Sequence, residues 1–188
     1  VREDVLASFL RLVCHTPELH AYAVENLYLS LHADMSQLYQ TLAAVWVIGE
    51  YGDLLFERGR IEQNGTVQPV RPKSVVDMLA MLLDSVYATE PVREYVLTAL
   101  AKLHTRMQDT EQQERIGSIL AQYVESIDLE TQKRALEYSV LLKRDSVRDA
   151  VLEVMPLPEK RSIVLETVGG ETKDLRSTVT SGQNDLLL

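Results

Sequence analysis

The stretch Val45–Leu55 reads V-W-V-I-G-E-Y-G-D-L-L, and it constrains the fold more than any other part of the chain. It lies within a helical pattern, yet it carries two glycines, the only Trp of the sequence and an isolated Glu among apolar residues. Gly inside a helix costs about 1 kcal/mol relative to Ala, so Gly49 and Gly52 need a reason. Close packing supplies one, because a residue without Cβ lets another helix come near. Leu38, Leu42, Val45 and Trp46 form one apolar face of this segment, and Ala43, Val47, Ile48 and Tyr51 an adjoining one. A helix apolar around most of its circumference is buried on two sides. The segment is an inner helix.

The same reading extends along the chain to about Met155. Helices are expected near 2–14, 17–33, 36–57, 74–88, 91–107, 110–125, 129–143 and 146–154. Thr16 can cap the second, with Pro17 in the first turn where a missing N–H costs nothing. Ser74-x-x-Asp77 and Ser146-x-x-Asp149 have the capping-box pattern, and Asp128 opens the seventh helix in the same manner. Val75, Leu79, Leu82, Leu83 and Val86 form one stripe at helical spacing. Val92, Val96, Ala99, Leu100, Leu103 and Met107 form a second, and Ile116, Ile119, Leu120, Tyr123 and Val124 a third. The fold class is all-α.

Such helices can close into a bundle or stack as a solenoid. Doubly apolar helices favour the α-solenoid, whose inner helices touch repeats on both sides. Pro91–Leu103 and Thr131–Leu142 also share an order of polar-basic, apolar and Leu-cluster positions. Their offset of about 40 residues is the period of HEAT- or armadillo-like helix pairs. Arg58–Lys73 interrupts the pattern with Gly59, Asn64-Gly65, Pro69 and Pro72. It reads first as an exposed inter-helix loop, with a small ribbon as the alternative that Asn64-Gly65 signals.

After Met155 the periodicity stops. Pro156, Pro158, Gly169-Gly170 and Ser177–Gly182 give no apolar repeat, so a disordered tail or linker is expected. Residues 1–155 are read as the solenoid and 156–188 as the tail. The tail ends in Asp185-Leu186-Leu187-Leu188, an apolar cluster of the kind that serves as a docking motif, or else the start of another folded element. The opening Val1-Arg2-Glu3-Asp4-Val5 already has helical character, and the chain is read as a fragment of a longer one.

The residues hold little that resembles catalysis. The histidines His15, His20, His32 and His104 are scattered and lack zinc-site spacing. No phosphate-cradling glycine loop occurs, and Gly49-x-x-Gly52 lies within a helix that offers a nucleotide no free N–H groups. Glu50 and Asp53 share a helix face, yet a buried Glu is more often paired to Arg or Lys on the next helix. No catalytic, cofactor or metal residue is assigned, and the chain is not read as an enzyme. The lone Cys14 cannot form an intramolecular disulfide, suits a reducing compartment and reads as a small core residue. A net charge of −9 argues against a nucleic-acid binder. No apolar run approaches the ~20 residues of a membrane span.

The Val45–Leu55 motif resembles one in the large-subunit trunk of heterotetrameric clathrin adaptors, the adaptins, and among them the gamma type. Tyr95–Arg106 resembles that family's next inner helix, and Ser126–Tyr138 (S-I-D-L-E-T-Q-K-R-A-L-E-Y) a further segment. Met155-Pro156-Leu157-Pro158-Glu159-Lys160 matches the place where the trunk ends and the hinge begins. The resemblance covers roughly residues 1–160. It implies the C-terminal part of an adaptin trunk followed by the start of a flexible hinge. It further implies a cytoplasmic coat subunit, peripheral on trans-Golgi network and endosome membranes, that sorts cargo into clathrin-coated vesicles. Its partners would be the other subunits of the heterotetramer, and clathrin through the hinge. An Arf-family GTPase and cargo tails would bind mostly outside this stretch. Asp185, Leu186, Leu187 and Leu188 are the candidate protein-binding residues. The alternative is another HEAT-type scaffold: the large chain of a different adaptor complex, or a nuclear transport or regulatory scaffold.

Overall fold

The computed structural model describes residues 2–63 and 66–156, and all of them fall in one compact unit. The helices are α1 (Arg2–His15), α2 (His20–Ala33), α3 (Leu38–Tyr51), α4 (Asp53–Arg58), α5 (Pro72–Leu83), α6 (Glu90–Arg106), α7 (Thr110–Gln122), α8 (Leu129–Leu141) and α9 (Asp145–Val151). Strands β1 (Arg60–Gln63) and β2 (Thr66–Pro69) stand between α4 and α5. Short 3₁₀ turns at Pro17–Leu19 and Tyr123–Glu125 precede α2 and follow α7.

The all-α solenoid expected from the sequence is the fold observed. Helix α3 packs on α2 on one side and on α6 on the other, and α6 in turn packs on α8. Helices α5 and α7 lie against each other in a second layer that covers α6 and α8. The core follows the stripes: Val75, Leu79, Leu82, Val92, Val96, Leu100, Leu103, Ile116 and Leu120 are buried. In α3, all residues from Thr41 to Tyr51 except Trp46 are buried.

Several local expectations need correction. The single helix expected over 36–57 divides at Gly52 into α3 and α4. The helix expected to reach residue 88 stops at Leu83, because the Ser85 hydroxyl donates to the Leu82 carbonyl (2.7 Å) and accepts from the Tyr87 N–H (3.2 Å). That local turn competes with the next helical bonds, and Val86 is left 91% exposed instead of joining the stripe. Neither Ser74 nor Ser146 caps a helix. Pro72 occupies the first turn of α5, with Arg71 at the N-cap, which places Ser74 inside the helix. Asp145 starts α9, and its carboxylate and that of Asp149 pair with Arg148. Thr16 makes no side-chain cap either. The cap at Asp128 is as expected, its carboxylate accepting from the Thr131 N–H at 3.1 Å. Asp109 caps α7 in the same way through Gln112 (3.2 Å), without having been anticipated.

The interruption at 58–73 is a ribbon and not an open loop. Gly59 ends α4 with φ of +62°, a left-handed conformation that suits Gly. Strands β1 and β2 then pair antiparallel, Ile61 opposite Gln68 and Glu62 opposite Val67. Ile61 and Val70 are buried, so the ribbon is stapled to the helices by two apolar side chains.

Candidate functional site

Among the described residues, a group of buried charges stands at the crossing of α3 and α6, where apolar packing alone does not account for it. The crossing is close because of Gly49: a Cβ there would meet the Cα of Ala99 at 2.9 Å and its Cβ at 3.0 Å. Gly52 faces the same helix, where an added Cβ would lie 2.6 Å from Leu103 Cδ2. With the backbones this near, the side chain of Glu50 is only 2% exposed.

Its carboxylate is held from α6. Lys102 Nζ donates to Glu50 Oε1, and Arg106 Nη2 lies 3.5 Å from Oε2. Arg106 Nη1 also donates to the carbonyl of Gly49. The Met155 N–H donates to Oε2 at 3.2 Å. Lys102 and Arg106 are one turn apart on α6, and their side chains are themselves only 11% and 9% exposed. Two cations therefore share one carboxylate. The surplus positive charge meets the negative ends of two helix dipoles, since Gly49 lies in the last turn of α3 and both cations near the end of α6.

This is the structural pairing expected of a buried Glu, in place of a two-carboxylate site with Asp53. Both oxygens of Glu50 are engaged by protein groups, and its side chain is closed off from solvent. The surroundings are equally closed. Burial pushes the thiol of Cys14 and the hydroxyl of Tyr51 above their usual pKa values, and the two groups face each other. Cys14 is thus a protonated core residue near neutral pH, as its sequence context suggests. The His20 ring stacks on Tyr51, with centroids 3.8 Å apart and planes at 22°. His20 Nε2–H donates to the Val13 carbonyl (2.9 Å), and His15 Nδ1–H to that of Arg11 (2.8 Å). Among the described residues, no group of three His, Cys, Asp or Glu could hold a metal ion.

Polar clamps recur along the stack. Between α6 and α8, Arg134 Nη2 lies 3.1 Å from Glu94 Oε2, and Thr98 Oγ1 and Tyr138 OH are hydrogen-bonded at 3.0 Å. Between α5 and α7, Arg115 pairs with Asp77, and that guanidinium holds the Asp77 carboxyl below the usual carboxylate range. Asp77–Arg115 spans 38 residues of sequence and Thr98–Tyr138 spans 40, in keeping with a period of about 40. Glu50–Lys102 spans 52, and the ribbon lies inside that interval.

Among the described residues, two of the open grooves are well defined. One, of about 570 Å³, runs between α7 and α8 and is lined by His104, Gln113, Gly117, Ser139 and Lys143 among others. The other, of about 680 Å³, separates the ribbon from Glu25 of α2. On the last helices, Leu129, Leu136 and Val140 of α8 and Val147 and Val151 of α9 are exposed. No helix among the described residues is long and apolar enough to cross a membrane. Asp185, Leu186, Leu187 and Leu188 lie outside the described residues.

Comparison with known proteins agrees with this architecture. A family model described as the adaptin N terminal region matches residues 1–146. The AP-1 complex subunit gamma-1 of Mycosarcoma maydis is 52% identical over 178 residues, covering 95% of this chain and 20% of that protein. The AP-1 complex subunit gamma-like 2 of Mus musculus is 40% identical over 161 residues, 85% of this chain and 20% of the relative. The AP-1 complex subunit gamma of Dictyostelium discoideum is 36% identical over 164 residues, 86% of this chain and 18% of the relative. The chain thus spans about a fifth of the length of the curated relatives it matches.

Proposed function

Since the chain belongs to the adaptin family, we propose that it forms the C-terminal part of a gamma-type adaptor trunk and the start of its hinge. Residues 1–155 would be the trunk and 156–188 the hinge. The work of such a piece is structural: it presents a stack of helices against which other subunits of an adaptor heterotetramer assemble. The observation that carries this reading is the adaptin match over residues 1–146 on stacked helix pairs. A non-catalytic role is supported by Glu50, Lys102 and Arg106, whose polar atoms are directed at one another.

The finer role rests on the relatives' names and the sequence motifs. In it, the complete protein sorts cargo into clathrin-coated vesicles as a peripheral coat component at the trans-Golgi network and endosomes. Clathrin would dock on the hinge, at Asp185–Leu188. Recruitment by an Arf-family GTPase and recognition of cargo would fall to other parts of the trunk. The test is immunoprecipitation of the full-length protein from cells with identification of its partners. Recovery of the other adaptor subunits is expected. Recovery of nuclear transport or phosphatase components in their place would favour the alternative scaffold.

A further inference from the structure

One partner of Glu50 does not belong to the crossing helices. The Met155 N–H reaches Oε2 across 105 residues of sequence, from the irregular segment that follows α9. Leu152, at the end of α9, is buried at 3% exposure, whereas Val154 and Met155 are at the surface. Helix α9 itself packs chiefly on α8, and its own charges are spent locally, Arg148 on Asp145 and Asp149. Met155 precedes a proline, which disfavours helical backbone at that position, and Pro156 has no N–H to donate. The Met155 amide is therefore the last donor of the segment before Pro156, and it is aimed at a buried carboxylate. Hydrogen bonds of this kind, with one partner charged, are roughly twice as strong as neutral ones.

We propose that residues 152–156 form a strap with two fastenings, the Leu152 side chain in the core and the Met155 amide on Glu50. Glu50 then has a second task beyond locking α3 to α6: it fixes the point at which the chain leaves the inner-helix layer. The strap closes the last helix onto the middle of the stack, not onto its immediate neighbour alone. This inference rests on the geometry of Glu50 and Met155 and is independent of which partners the trunk assembles with.

Hydrogen–deuterium exchange on the 188-residue chain tests it. The readout is a peptide covering 145–154, with one covering 96–103 of α6 as the internal control. Met155→Pro removes the donor and leaves Glu50, Lys102 and Arg106 in place, while Glu50→Gln weakens the acceptor. Met155→Pro should speed exchange in 145–154 by about tenfold, the loss of one hydrogen bond to a charged group, and Glu50→Gln by a smaller factor. With Met155→Pro, exchange in 96–103 should not change. The double variant should be no faster in 145–154 than Met155→Pro alone, because both act on the same bond. Should Glu50→Gln also expose 96–103, it has loosened the whole stack, and Met155→Pro alone decides. Exchange in 145–154 that Met155→Pro leaves at the wild-type rate, or effects that add in the double variant, would overturn the proposal.

Discussion

Helices α3 and α6 cross at Gly49 and Ala99 with only the Ala99 methyl between them: a Cβ on Gly49 would stand 2.9 Å from the Ala99 Cα and 3.0 Å from its Cβ. Neither atom can swing aside as the end of a flexible side chain would. Gly49→Leu should therefore overpack the crossing and destabilise the chain by about 1–3 kcal/mol or more, read as a fall in the thermal midpoint. Gly117 is the internal contrast, because an added Cβ there meets nothing within 4 Å. Gly117→Ala should raise the midpoint slightly, by up to about 1 kcal/mol of helix propensity. Equal midpoints for wild type and Gly49→Leu would refute the close crossing.

Removing the carboxylate of Glu50 strands Lys102 and Arg106 with 11% and 9% side-chain exposure. Glu50→Ala should cost about 3–5 kcal/mol, the range for breaking a buried ion pair from one side. Replacing all three charges together, as Glu50→Leu with Lys102→Met and Arg106→Met, should recover most of that loss, since no charge is then left alone. Urea denaturation of the wild type and both variants measures this. A triple variant no more stable than Glu50→Ala would show that the side chains matter by shape and not by charge.

His104 gives the chain a pH dependence of known sign. Burial, with a smaller contribution from the charge of Arg148, pulls its pKa below the ordinary value of 6.5. The folded form thus resists a proton that the unfolded chain accepts. Stability from this group is constant above about pH 6.5 and falls as pH drops from there toward the lowered folded-state value. Denaturation midpoints followed from pH 7.5 to 5.5 should fall in the wild type and be flatter in His104→Gln. Parallel slopes in the two proteins would assign the loss to other groups.

The hinge hypothesis has its own direct test. A peptide of the full-length protein that spans Thr178–Leu188 and several residues past Leu188 should bind the terminal domain of the clathrin heavy chain, and binding should disappear when Leu186, Leu187 and Leu188 are all changed to Ala. Titration calorimetry or fluorescence polarisation decides between them. Indistinguishable isotherms for the two peptides would leave the three leucines as linker residues.

What could be read from the residues, and what could not, follows from which atoms carry the information. Gly49 stood out because a helix interior disfavours Gly, Glu50 because it is a lone charge among apolar residues, and the pairing of Glu50 to the next helix followed from the cost of burying such a charge. Its partners did not stand out. Lys102 and Arg106 sit in A-K-L-H-T-R, where charges one turn apart look like an ordinary solvated face. The Met155 contact was invisible for a different reason: a backbone N–H has no residue-type signature. The helix starts at 74 and 146 were misplaced because Ser-x-x-Asp fits a capping box only where no stronger signal precedes it. At Pro72 one does. The ribbon depended on burial of Ile61 and Val70, which the sequence of a Pro- and Gly-rich stretch does not advertise.

The ribbon has a practical consequence for anyone wishing to label or extend this molecule. The repeat that contains it separates its clamping residues by 52 positions, against 40 for Thr98 and Tyr138, yet inner helix stacks on inner helix in both places. The stack has thus already absorbed about a dozen additional residues at this corner without loss of register. Lengthening an exposed loop further costs little, about 0.6 kcal/mol for each doubling. A tag or fluorescent reporter introduced at this corner, where Glu62 and Val67 are both exposed, would ride on the outside of the helical stack while Ile61 and Val70 keep its base in place.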